Sequence, residues 1–203
     1  MPEDGGVAAL REAAPSCRGC ELWAPATQVV FSRGPARAGL VLVGEQPGER
    51  EDREGEPFVG PAGRVLDDAL EAAGIVRDDV YLTNAVKHFR FEERPRKGGT
   101  RPVRIHKKPS VGHLRACAPW LEAELTAVRP RVVVALGATA ARQVLGREVR
   151  VGDERGHVQD GDGRAVLVTV HPSSLLRLRD RSGWDDAFDG FVADLRVAAA
   201  AVR

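Results

Sequence analysis

Four short apolar runs, separated by stretches with helical spacing, restrict the possible folds of this chain more than any other feature. Residues 39–43 read GLVLV, 80–83 VYLT, 131–136 RVVVAL and 165–170 AVLVTV. Runs of this length, rich in β-branched residues and bounded by turn residues, read as buried strands. Strands that alternate with helices imply a mostly parallel sheet covered on both faces. The predicted fold is therefore α/β, a three-layer α/β/α sandwich around a central, mostly parallel four-stranded sheet, forming a single domain over 1–203. In such sheets ligands bind beyond the carboxyl ends of the strands. That rule selects GEQPG at 44–48 after the first strand, Asn84 after the second and His171 after the fourth.

Between the strands, helices are expected near 7–14, 62–73 (stopped by Gly74) and 110–128, the last interrupted or restarted at Pro119. A short helix ending at Gly146 and a final one over 185–202 complete the pattern. Residues 44–63, with five glycines and three prolines, read as loop. So do 87–109, and a loop of that length is usually functional or disordered.

With 203 residues, 43% hydrophobic and 29% charged, the chain has the size and composition of one globular domain. No apolar run is long enough to cross a bilayer, and the acidic start is not a signal peptide, so a cytoplasmic location is expected. The net charge of +1 offers no general reason to expect nucleic acid. Its distribution does, because nine Lys or Arg residues against Glu92 and Glu93 lie between Lys87 and Lys108. Such a run is a solvated loop by default and a phosphate-binding surface when other features agree.

Three cysteines in this setting do not suggest disulfides. Cys17 and Cys20 form a C-x-x-C and Cys117 stands far from them, a pattern that calls for a metal or cluster and a fourth ligand. By spacing alone, zinc would suit three cysteines and one histidine as well as an iron–sulfur cluster would.

The segments 44–48 (GEQPG), 57–63 (PFVGPAG), 83–87 (TNAVK) and 171–176 (HPSSLL) resemble the uracil-DNA glycosylase superfamily, most of all its iron–sulfur branch. Within that branch, Gln46 and the loop 104–110 (RIHKKPS) resemble UdgX, whose members crosslink themselves to DNA. The likeness covers nearly the whole chain. It departs at 101–104, where the basic run before the Ile-His is broken as RPVR.

The resemblance implies excision of uracil from DNA, single-stranded by preference, with the base flipped into a pocket. Phe58 would supply a stacking face, and Gln46 would join the uracil site. The Asn84 amide would both donate to and accept from the base edge, which disfavours cytosine. His171 would donate to uracil O2 as negative charge develops there. His106 would attack the sugar C1′, with Glu45 orienting the imidazole or receiving its proton. Arg104, Lys107, Ser173, Ser174, Leu175 and Arg177 would contact DNA, the serines binding phosphate; the Leu175–Leu176 pair would offer a wedge, with a core reading open for one of the two. The cofactor implied is a [4Fe–4S] cluster held by Cys17, Cys20, Cys117 and His88, which also ties residues 7–25 to the domain. His88 stands where related iron–sulfur glycosylases carry a cysteine. His113 and His157 receive no role, and Trp23, Trp120 and Trp184 read as packing residues.

No obligate protein partner or membrane is implied. Two rival readings follow from the same residues: a multiple-turnover glycosylase in which Glu45 activates water, and a non-catalytic iron–sulfur protein that binds single strands.

Overall fold

A computed structural model describes residues 2, 5–96, 102–179 and 182–202. Lys97 and Arg101, two cations of the basic run, lie outside the described residues. The chain begins with α1 (Gly6–Ala13) and the short strand β1 (Ser32–Arg33). It continues through β2 (Leu40–Gly44), α2 (Glu49–Glu54), α3 (Pro61–Ala72) and β3 (Val80–Asn84). Two further strands, β4 (Phe91–Arg94) and β5 (Val103–His106), precede α4 (Val111–Val128), β6 (Val132–Leu136) and α5 (Ala138–Leu145). The last part comprises α6 (Val151–Glu154), β7 (Val158–Asp160), β8 (Ala165–Thr169), α7 (Pro172–Leu176) and α8 (Trp184–Val202).

The sheet has the order β1-β3-β2-β6-β8-β7. Its four central strands are parallel and are the four runs read from the sequence. The two edge strands, β1 and β7, are short and antiparallel, and the apolar pattern did not announce them. All five residues of β2, β3 and β6 are buried, as expected of strands covered on both sides. Their side chains alternate between two cores. Val41, Val43, Tyr81, Val133 and Ala135 pack with residues of α1, α4 and α5. Leu40, Leu42, Leu82, Val134 and Leu167 pack with residues of α3, α7 and α8.

The reading of 87–109 as loop needs correction. β4 and β5 pair as an antiparallel hairpin, with Phe91 opposite His106 and Arg94 opposite Val103. The hairpin stands apart from the main sheet, and its outer residues are mostly exposed. Charged residues on both faces leave no two-residue hydrophobic alternation, so its strand character was not visible in the sequence. A second correction concerns α4, which runs unbroken through Pro119.

Candidate active site

Strand register builds the site. Gly44 lies opposite Asn84 and Leu136 opposite Thr169, so the loops after four parallel strands emerge along one edge. Ala85 N–H donates to Gly44 O at 2.9 Å and Val86 N–H to Glu45 O at 3.0 Å, joining the first two loops. Gly44 must lack a side chain here. A Cβ at that position would stand 2.3 Å from Asn84 Oδ1 and 2.7 Å from Phe58 Cζ. Its bare backbone lets the Asn84 amide and the Phe58 ring meet over one spot. Phe58 adopts a left-handed conformation (φ 57°), rare for an aromatic residue, and its ring stacks near His171 with centroids 6.4 Å apart.

His171 caps α7. Its Nδ1 accepts from Ser173 N–H at 3.1 Å and lies 2.8 Å from Ser173 Oγ, while Ser174 Oγ donates to His171 O. Because Nδ1 is the acceptor, the neutral ring carries its proton on Nε2. Burial, reinforced by His106 and Arg177, lowers the His171 pKa to about 4. The imidazole is therefore a neutral N–H donor at physiological pH.

His106 ends β5, half-exposed, beside the buried Gln46. The Gln46 amide is oriented by the backbone. Its Nε2 donates to Arg90 O at 3.2 Å and Lys107 O at 3.1 Å, and its Oε1 accepts from Arg90 N–H. The atom 2.9 Å from His106 Nε2 is thus an NH2, which only donates; its two hydrogens are shared among Arg90 O, Lys107 O and the His106 Nε2 lone pair, so that nitrogen is the unprotonated one. Glu45 Oε1 stands 3.8 Å from the same nitrogen, and Glu45 Oε2 accepts from Thr139 Oγ1 at 2.5 Å. Burial lowers the His106 pKa, against the pull of Glu45 and with the help of Arg177.

Several residues read as DNA contacts or base readers have other partners here. The Arg104 guanidinium pairs at 2.8 Å with Asp52, which is fully buried, and lies over the Phe91 ring. Lys107 pairs with Glu92 at 2.8 Å. Gln46 is bound to the hairpin ends rather than open to a base, and the two serines hold His171. Leu175 is 1% exposed and belongs to the core beneath α3 and α8, the packed alternative for one leucine of the pair. Its neighbour Leu176 is only partly buried. Arg177 is exposed, close enough to His106 and His171 to act on both.

Lys87 also leaves the basic surface. It is buried, donating to Thr83 Oγ1 at 2.6 Å, to Asn84 O at 2.9 Å and to Glu124. Glu124 in turn accepts from Tyr81 OH and Thr83 Oγ1, both at 2.9 Å. This buried network holds the main chain of Asn84 from below.

The cysteines gather behind that network. Cys20 and Cys117 share a hydrogen bond, which lowers the Cys20 thiol to about 6 and, with burial, raises that of Cys117. Trp120 Nε1 donates to Cys17 Sγ at 3.2 Å, and the Lys87 N–H lies against the Cys117 sulfur. His88 is buried next in the chain. The donors suit a cluster in kind, because N–H groups aimed at sulfur stabilise thiolates. Among the described residues, however, no three His, Cys, Asp or Glu side chains converge as a metal-binding group. His113 is the third residue of α4, exchanging hydrogen bonds with Ser110 and contacting Glu21 at 2.6 Å. Trp23 is 42% exposed beneath the Arg18 guanidinium, and so is not a packing residue.

The uracil DNA glycosylase superfamily profile matches residues 31–196. The chain belongs to that superfamily. Among similar proteins, the type-4 uracil-DNA glycosylase of Thermotoga maritima is 39% identical over 172 residues, covering 84% of this chain and 83% of that protein. The type-4 enzyme of Pyrobaculum aerophilum is 34% identical over 83% of each chain. A type-5 uracil-DNA glycosylase from the same organism is 33% identical over 76% of this chain and 70% of its own length. Within this superfamily member, sequence reasoning missed Asp52, Thr139 and Glu124. Thr139 was within reach, because it follows the carboxyl end of the third parallel run, where the rule that selected the other three loops applies equally. No helix among the described residues is long and apolar enough to cross a membrane.

Proposed function

We propose that this chain excises uracil from DNA and that His106 then captures the sugar covalently. The observation that supports the second part is the 2.9 Å contact between the Gln46 amide nitrogen and His106 Nε2, which leaves that ring nitrogen unprotonated on the edge shared by Asn84 and His171. The C1′–N1 bond breaks with its electron pair leaving on uracil, whose O2 takes a hydrogen bond from His171 Nε2–H. The resulting anion later takes a proton from water. The His106 Nε2 lone pair, released from the Gln46 N–H, which keeps its bonds to Arg90 O and Lys107 O, forms the new bond to C1′. The imidazolium so created keeps its proton on Nδ1 until solvent removes it, and the nearby Glu45 carboxylate stabilises its charge. Glu45 thus acts by electrostatics on a nitrogen that has no proton to give it. Asn84 reads the base edge and Phe58 supplies its stacking face. Single strands are the favoured substrate, since they carry no base-pairing cost of flipping. A DNA substrate fits a cytoplasmic place of action.

Cys17, Cys20, Cys117 and His88 would hold a [4Fe–4S] cluster. When bound, it would supply a structural clamp joining the segment 7–25 to α4 and to the root of the hairpin. Iron and sulfide in the purified protein, with a brown colour, are expected; a colourless, zinc-loaded protein would overturn this assignment.

The decisive test is incubation with uracil-containing and uracil-free oligonucleotides, then denaturing electrophoresis and mass spectrometry of the His106 peptide. A denaturation-resistant species that requires uracil and vanishes in His106→Ala is expected. Released uracil with free abasic DNA and no such species would favour a second reading, multiple turnover with water activated by Glu45. The type-4 relatives are named uracil-DNA glycosylases, which supports base removal in both readings. Uracil-indifferent binding with no base release would refute both.

A further inference from the structure

We propose that Thr139 is a positioning residue that sets the Glu45 carboxylate for charge stabilisation at His106. This inference rests on the reading that Glu45 acts in the reaction. Thr139 is the second residue of α5 and is 5% exposed. Its hydroxyl donates to Glu45 Oε2 at 2.5 Å, leaving Oε1 turned to His106 Nε2 at 3.8 Å. Val86 N–H binds Glu45 O, so the backbone of Glu45 is held from one side and its carboxylate from the other. A hydrogen bond from a neutral hydroxyl to a carboxylate is charge-assisted and directional, and it limits the rotation that a glutamate side chain otherwise has.

The start of α5 holds a second catalytic group as well. Gly137 caps this helix at φ 86°, with its N–H donating to Thr169 O at 2.8 Å. A Cβ there would stand 3.0 Å from His171 Cβ, so the glycine lets the helix approach the histidine closely. One turn of backbone therefore abuts His171 through Gly137 and holds Glu45 through Thr139. The spacing between the donor aimed at the leaving base and the carboxylate beside the nucleophile is set by this rigid unit, not by two independent loops. An aligned carboxylate assists only the charge that develops during reaction, so Thr139 affects the chemical step rather than DNA binding.

The test uses single-turnover kinetics on a uracil-containing single-stranded oligonucleotide with Thr139→Val, Thr139→Ser, Glu45→Gln and the Thr139→Val/Glu45→Gln double variant. Valine keeps the shape and removes the hydroxyl, whereas serine keeps the hydroxyl. Thr139→Val should lower the saturating rate roughly tenfold, as expected for one lost hydrogen bond to a charged group. Its half-saturating DNA concentration should not change, and Thr139→Ser should recover to within about twofold of the parent, a difference of under half a kcal/mol. The double variant should be no slower than Glu45→Gln alone, since the two act as one unit. Equal loss in the serine and valine variants, a change confined to half-saturation, or additive losses would overturn the proposal while leaving Glu45 in place. A Glu45→Gln variant as fast as the parent would instead remove the role of Glu45, and that of Thr139 with it. Thermal unfolding of each variant separates a folding defect from these outcomes.

Discussion

Gln46 Nε2 lies 2.9 Å from His106 Nε2, and three backbone contacts from Arg90 and Lys107 decide that it is the donor of the pair. A side chain at the end of a sheet strand thus specifies the tautomer of a histidine on a separate hairpin. In the proposed reaction Gln46 of the GEQPG segment would thus act on the nucleophile rather than on the base.

Replacing Gln46 with alanine should loosen the hairpin ends and release the tautomer, slowing adduct formation more than uracil release. Gln46→Glu should be worse for capture, because a carboxylate accepts from an imidazole N–H and favours the charged ring. Comparing adduct on a denaturing gel with released uracil in the same reaction checks both. Equal losses in the two products would contradict this division.

The pH dependence follows from the depressed histidines. Capture needs a neutral His106, and burial lowers its pKa below the ordinary 6.5. The acid limb of the adduct-formation profile should therefore lie below that value. His171 bears on stability too, with a folded pKa of about 4 against 6.5. Between those values the unfolded chain takes up a proton that the folded chain refuses. Stability should therefore fall as pH drops through that window and show no dependence on this group above it. Denaturant midpoints measured from pH 7 to pH 4, in the parent and in His171→Asn, read this directly.

Glu124 should matter for folding more than its distance from solvent suggests. It is fully buried and answers Lys87, Tyr81 and Thr83. Glu124→Ala leaves an uncompensated ammonium in the core, and breaking such a pair costs about 3–5 kcal/mol. Chemical denaturation measures it, and Lys87→Met in the same background should return part of the loss.

Arg104 offers a sharp discrimination. As a phosphate contact, its removal would reduce the salt dependence of single-strand binding by about 0.7 in the log–log slope. As the partner of Asp52, it should leave that slope unchanged while Arg104→Ala raises hydrogen exchange in β4 and β5. The second outcome is expected.

The four central strands could be read from the sequence because each is short, continuous in apolar residues and ended by a polar break. The placement of Glu45, Asn84 and His171 followed from those strands and a rule about their carboxyl ends. The hairpin could not be read, because strands without a buried face carry no period-two signal. Partners across long sequence distances were equally hidden: nothing local links Asp52 to Arg104 or Glu124 to Lys87. Leu175 shows the opposite hazard. Its motif neighbours suggested a surface role, and only the facing of α7 onto the core reveals that it is packed.

The hairpin that carries His106 begins and ends at one point, where Lys107 N–H donates to Arg90 O at 3.0 Å and Gln46 spans both residues. Its two roots are already neighbours, so a tight turn could join them and the remaining sheet would need no rearrangement. In the proposed reaction the nucleophile therefore rides on a projection with a single point of attachment, while Gln46 and Glu45, which face it, stay with the scaffold. The reach of His106 over the pocket is set at that one anchor.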